Sequence, residues 1–131
     1  MAEDFGPFNL NVTTDLQAYL DAPENSRQRC IITPTDDAAP GAGGVAILGS
    51  FNSTGDTPCW AFSTFGKDAA EIISHEIGHA LTLSHDGRTT PVEEDYAGHG
   101  TDPVVGWAPI MGVGYYQPLT QWSQGEYQNA N

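Results

Sequence analysis

Hydrophobic and polar positions change period along the chain. Residues 8–13 (FNLNVT) alternate apolar and polar, the pattern of a half-buried strand. Thr14 is placed to cap a short helix through Asp15-Leu16-Gln17-Ala18-Tyr19-Leu20, closed off by Pro23. Residues 27–33 (RQRCIIT) read as a second strand, and 34–44 (PTDDAAPGAGG) as a loop of turn-forming residues. An apolar run bounded by glycines follows at 44–51 (GVAILGSF), then a turn at 52–56 and a short strand at 59–63 (CWAFS). From Asp68 the period becomes helical. Ala69, Ile73, Ile77, Ala80 and Leu81 share one side of a helix that should end near Leu81 or Leu83. Residues 86–114 are rich in glycine and proline and should be irregular. A last helix is expected from about Leu119-Thr120, carrying Trp122 and Tyr127 toward the core. Strands, a long helix, a coil-rich stretch and a closing helix predict an α+β fold.

Composition narrows the classes. A chain of 131 residues gives one domain, 1–131, and 39% hydrophobic residues suffice for a core. No apolar run approaches the ~18 residues of a membrane span, and the opening MAEDFGPFNL lacks the basic and apolar regions of a signal peptide. Seventeen acidic residues stand against four basic ones (Arg27, Arg29, Lys67, Arg88), a net charge of −13. With no basic patch to meet phosphates, nucleic acid and anionic membranes are excluded as partners. The acidity reads first as a solubilising surface. Calcium binding or attraction of cationic substrates is the functional alternative, with Glu93-Glu94-Asp95 the loop to supply calcium ligands, although no EF-hand spacing is present. Cys30 and Cys59 belong to no C-x-x-C pair, which leaves two buried thiols or one disulfide. The disulfide is the preferred reading, and with it an oxidising, secreted setting.

The chemistry concentrates at 75–85, HEIGHALTLSH. His75 and His79 lie one helical turn apart and project from one face, as two ligands of one ion must. Glu76 sits about 100° around the helix from His75, able to reach a water beside the ion without ligating it. His85 lies too far along to share that face, so the helix must end and the chain bend before it can become a third ligand. Three imidazoles suit zinc better than magnesium or calcium, and they leave the open coordination position of a catalytic site.

His75-Glu76-x-x-His79-x-x-Thr82-x-x-His85 resembles the metzincin zinc-peptidase motif, and the His85-Asp86 pair is similar to the adamalysin/reprolysin branch and its bacterial relatives. Ala108-Pro109-Ile110-Met111-Gly112 looks like the Met-turn of that family, with Met111 as its methionine. The resemblance implies a metzincin-like zincin fold. That fold has a twisted mixed sheet and an active-site helix in an upper subdomain of about 1–85, and an irregular lower subdomain of about 86–131 ending in a helix. It implies one catalytic zinc held by His75, His79 and His85, with Glu76 as the general base of peptide-bond hydrolysis. Protein or peptide would be the substrate of a monomeric enzyme. The edge strand with Val45, Ala46 and Ile47 would form one wall for extended substrate, and residues 104–116, with Tyr115, the other. His99 is a candidate to line the site or hold a second ion. Two other classes share the motif: a zinc hydrolase of esters or non-peptide amides, and a zinc-bound module without catalysis.

Three departures from the family pattern stand out. Val113 occupies the place where some members have a ligating tyrosine, and Tyr115 and Tyr116 are out of register with it. The strand and long helix expected ahead of 8–13 have no counterpart, as in a chain trimmed at its ends or a reduced version of the fold. Thr82 stands where the family has glycine. A left-handed turn there would strain a β-branched residue by ~1–3 kcal/mol, whereas a helix continuing past Thr82 would turn later, near Ser84. The unchanged spacing to His85 favours the turn at Thr82.

Overall fold

The computed structural model describes residues 1–100 and 105–131. These form two compact units, Met1–Leu83 and Ser84–Asn131. Three α-helices and three small sheets make the fold a mixed α+β one among the described residues. No described helix is long and apolar enough to cross a membrane.

The first unit contains α1 (Ala2–Phe5), α2 (Leu16–Asp21), β1 (Cys30–Ile32), β2 (Gly44–Val45), β3 (Cys59–Ala61) and α3 (Gly66–Ala80). The sheet order is β1-β3-β2, with β3 parallel to β1 and antiparallel to β2. Its register sets Cys30 against Cys59, Ile32 against Ala61, and Gly44 also against Ala61. One side of α3 closes over this sheet. Ala61, Ile72 and Ile73 form the core, with Cys30 and Ile77 packed against it. The apolar period that marks the helix in the sequence is therefore the period of its buried stripe.

Several local expectations are corrected. Residues 8–13 form no strand: the Leu10 N–H turns back onto the Phe8 carbonyl at 2.8 Å, and Phe8 and Val12 stay exposed. Alternation makes a strand only where a neighbour takes up the backbone groups. The helix cap is Asp15, whose carboxylate accepts from Gln17 N–H at 2.8 Å, rather than Thr14. The run 44–51 is extended only over Gly44–Val45. Gly49 then turns with φ +75°, a 3-10 turn follows at Ser50–Asn52, and the Gly49 N–H bonds the His79 carbonyl at 3.0 Å.

The second unit contains β4 (Arg88–Thr89) paired antiparallel to β5 (Val92–Glu93), and β6 (Trp107–Pro109) paired parallel to β7 (Leu119–Gln121). Its interior is Tyr96, Ala108, Pro109, Ile110 and Met111. The ring of Tyr96 stacks on Tyr127 at 4.5 Å, and the Arg88 guanidinium lies 4.4 Å over it. The closing helix expected from Leu119 is absent and β7 takes its place. Pairing with β6 takes up its backbone instead, and the Gln121 carbonyl accepts from Ile110 N–H at 2.8 Å.

Candidate metal site

Two of the three histidines are set by α3 itself. His75 and His79, a turn apart, stand half-buried with their rings edge to face at 4.7 Å. The helix ends at Ala80 in a Schellman pattern: Thr82 N–H bonds the His79 carbonyl and Leu83 N–H the Gly78 carbonyl, both at 2.9 Å. Thr82 is the left-handed residue of that motif, with φ 79°. The turn thus falls where the spacing to His85 favours it, with threonine in a conformation suited to glycine. It leaves the Leu83 carbonyl oxygen 2.8 Å from His79 Nδ1. A carbonyl only accepts, so Nδ1 carries the proton and Nε2 keeps its lone pair for a ligand.

His85 follows on a stretch without regular structure. Its Nδ1 lies 2.7 Å from Asp95 Oδ1, a close polar contact in which that buried oxygen has no aligned hydrogen-bond donor; a proton on Nδ1 turned toward the carboxylate leaves Nε2 for a metal. The ligand nitrogens of His75, His79 and His85 come within 4.8 Å of one another, and the group can hold a metal ion. Tetrahedral bonds of about 2.1 Å put imidazole nitrogens roughly 3.4 Å apart, a separation of the same order as that limit. An all-imidazole donor set suits zinc.

Glu76 is only 6% exposed, and burial pushes its carboxyl up to about 7. A carboxyl poised there can accept and return a proton at neutral pH. It lies over the first residue of β2. A Cβ built on Gly44 would fall 2.7 Å from Glu76 Oε1, 2.7 Å from Ile72 Cγ2 and 2.6 Å from the Trp60 carbonyl oxygen. The glycine therefore gives the carboxylate its room. Val45 and Ala46 beside it are half-buried and Ile47 is 63% exposed. Within the sheet β2 pairs only with β3, so one edge of it faces away from the ladder.

In the second unit, Met111 is 3% exposed and its carbonyl accepts from Asp86 N–H at 2.8 Å. The Pro109–Gly112 turn is closed at 3.1 Å, and a Cβ at Gly112 would meet the Tyr96 carbonyl oxygen at 2.3 Å. The residue after the third histidine is thereby fixed to the turn carrying the methionine. His99 is not in the three-histidine group: its Nδ1 lies 3.1 Å from the Tyr96 hydroxyl and its backbone bridges Trp107. Tyr115 is exposed. Residue 104, first of the 104–116 wall, lies outside the described residues.

Two carboxylates of the acidic loop have partners. Glu93 pairs with Arg88 and Asp95 faces His85, a partnership the sequence gives no sign of because the two are ten positions apart on irregular chain. Among the described residues, the three histidines are the one group arranged to hold an ion.

The expected disulfide is also corrected. Cys30 and Cys59 are free thiols, cross-strand neighbours in register. The Cys59 thiol is pushed up by its hydrogen bond to Cys30 and by burial, while that same bond holds Cys30 down. Strand pairing already holds the two side chains together, so proximity requires no covalent bond.

Comparison with family models, curated proteins and solved structures gives no match.

Proposed function

We propose that the chain is a zinc-dependent endopeptidase of the metzincin type. The observation that carries this reading is the left-handed turn at Thr82, which ends α3 where His85 can join His75 and His79 in one ligand group. Helical spacing alone supplies two histidines; the third needs that backbone reversal. The buried Glu76 and the tie between Asp86 and Met111 support the same reading.

In this proposal the Nε2 atoms of His75, His79 and His85 hold zinc. Zinc bound there supplies Lewis acidity toward a carbonyl and toward water at neutral pH. Glu76 takes the proton of the attacking water and returns it to the leaving amine. The open edge of β2 receives an extended peptide by strand addition, which sets the scissile bond beside Glu76 with the side chains of Val45 and Ile47 along its flank.

The test is hydrolysis of casein, measured beside a nitrophenyl ester, with and without chelator. The purified chain should hold about one zinc and cleave casein, and His79→Ala should lose both properties. Glu76→Gln should keep zinc and lose at least ~10²-fold in rate. Ester cleavage without casein cleavage would select the non-peptide hydrolase, and zinc binding with neither activity would select a binding module. A chain without zinc refutes the reading at its root.

A further inference from the structure

We propose that Asp95 is a positioning residue: its carboxylate holds the third zinc ligand, His85, through a hairpin built for that purpose. The inference rests on the metal reading above and adds to it the device that orients one ligand.

His75 and His79 are oriented by the helix that carries them, and His79 has in addition the Leu83 carbonyl at its Nδ1. His85 has no helix or strand beneath it. A side chain on irregular backbone needs another restraint if it is to present Nε2 in one direction. Asp95 Oδ1, 2.7 Å from Nδ1, is that restraint. Both side chains are only about one third exposed, 34% for His85 and 36% for Asp95. A carboxylate on the far nitrogen fixes the tautomer and makes the ligating nitrogen more basic, which raises affinity for a divalent ion.

The nine residues between them form the device. Arg88 pairs with Glu93 and Thr89 with Val92, so the chain reverses at Thr90-Pro91 and the return arm comes back beside the outgoing one. The pairing carries on past the strands, where Tyr96 N–H bonds the Asp86 carbonyl at 2.7 Å. In this register Asp95 is delivered next to His85 and Asp86. Gly87 makes the approach of the two arms feasible: a Cβ there would stand 2.4 Å from the Glu93 carbonyl oxygen and 2.6 Å from that of Glu94. The arms are fastened from outside as well, by Asn131 Oδ1 accepting from Gly87 N–H at 2.9 Å and by the Arg88–Glu93 ion pair. Glycine immediately after His85-Asp86 is therefore a requirement of the hairpin that carries Asp95.

The experiment measures zinc affinity of the purified full chain by competition with a chromophoric chelator. The visible absorption of the cobalt(II)-loaded protein serves as a second readout of ligand geometry. Asp95→Ala should bind zinc about 10- to 100-fold more weakly and shift the cobalt spectrum, and Asp95→Glu should recover part of the affinity. Glu94→Ala, which removes an exposed charge one residue away, should bind like the wild type. Wild-type affinity in Asp95→Ala overturns the proposal, as does an equal loss in Glu94→Ala, which would make the effect one of general negative charge. Should Asp95→Ala not fold, Asp95→Asn takes its place: it keeps size and an acceptor oxygen but not the charge. It should bind more weakly than wild type, and equality overturns the proposal. A wild-type chain that binds no zinc is a different result, and refutes the metal reading itself.

Discussion

Thr82 concentrates a cost that the chain accepts to bring His85 round. Its φ of 79° is a conformation in which a β-branched side chain meets its own backbone. The side chain is exposed, so replacing it removes little packing. Thr82→Gly should relieve strain of about 1–2 kcal/mol. The greater freedom of glycine in the unfolded chain offsets part of that, about 0.4–1 kcal/mol. The net expectation is a melting temperature a few degrees higher and zinc affinity at least equal to wild type, read by calorimetry and chelator competition. A lower melting temperature together with weaker zinc binding would mean that threonine makes a contact worth more than its strain. The conformation itself could be anticipated: a spacing of three from His79 to Thr82 and three more to His85 leaves the chain few other paths.

Elements were legible in proportion to their length and to how far they satisfy themselves. Helix α3 spans 15 residues and carries its own hydrogen bonds, so its apolar stripe and two histidines are readable from spacing alone. Strands of two or three residues depend on distant partners, and the same few residues serve other ends: the alternation at 8–13 ends in a local turn, and Leu119–Gln121 becomes β7 where a helix is expected. Asp95 was illegible for the same reason, since its contact follows from hairpin register rather than composition. Two expectations belong at this scale. Gly44→Ala would put a methyl group 2.6 Å from the Trp60 carbonyl oxygen, a backbone atom that cannot give way without opening the β2–β3 pair. A loss of about 1–3 kcal/mol is expected from such overpacking. Hydrolysis should fall with it, because Glu76 is crowded too, while zinc content holds. Unchanged melting and activity would show that β2 shifts freely. The thiol pair gives the other. Unreduced, denatured protein should titrate with two thiols per chain, and in the native state Cys30, partly exposed and with its thiol held down, should react well ahead of the buried Cys59. Absence of titratable thiol would mean that the paired strands had been bridged.

Charge is a property of the molecule as a whole, and here it is lopsided. Every one of the four basic side chains is already engaged: Arg27 with Glu24, Arg29 with Asp56, Lys67 with Glu71 and Arg88 with Glu93. Arg27 also donates to the carbonyls of Tyr19, Leu20 and Ala22, so its charge caps the end of α2 as much as it pairs. The net charge of −13 is therefore carried by carboxylates with no side-chain cation left to oppose them. Two effects of salt compete. Screening weakens the surface pairs, each worth about 0–1 kcal/mol, and it weakens the mutual repulsion of the surplus carboxylates, which acts over a Debye length of about 30 Å at 0.01 M but only about 3 Å at 1 M. The Arg29–Asp56 pair is about half exposed on both sides, 48% and 49%, and has little to lose. Repulsion among many like charges has more, because it is summed over the surface rather than confined to four contacts. Raising sodium chloride from about 0.01 M to 0.5 M should therefore raise the melting temperature, with most of the rise in the first ~0.1 M as the Debye length shrinks to about 10 Å. The measurement belongs on zinc-loaded protein at fixed free zinc, so that ligand linkage stays constant while the ionic strength changes. A melting temperature that falls steadily with salt would show that the four ion pairs hold the fold more strongly than the surplus charge opposes it.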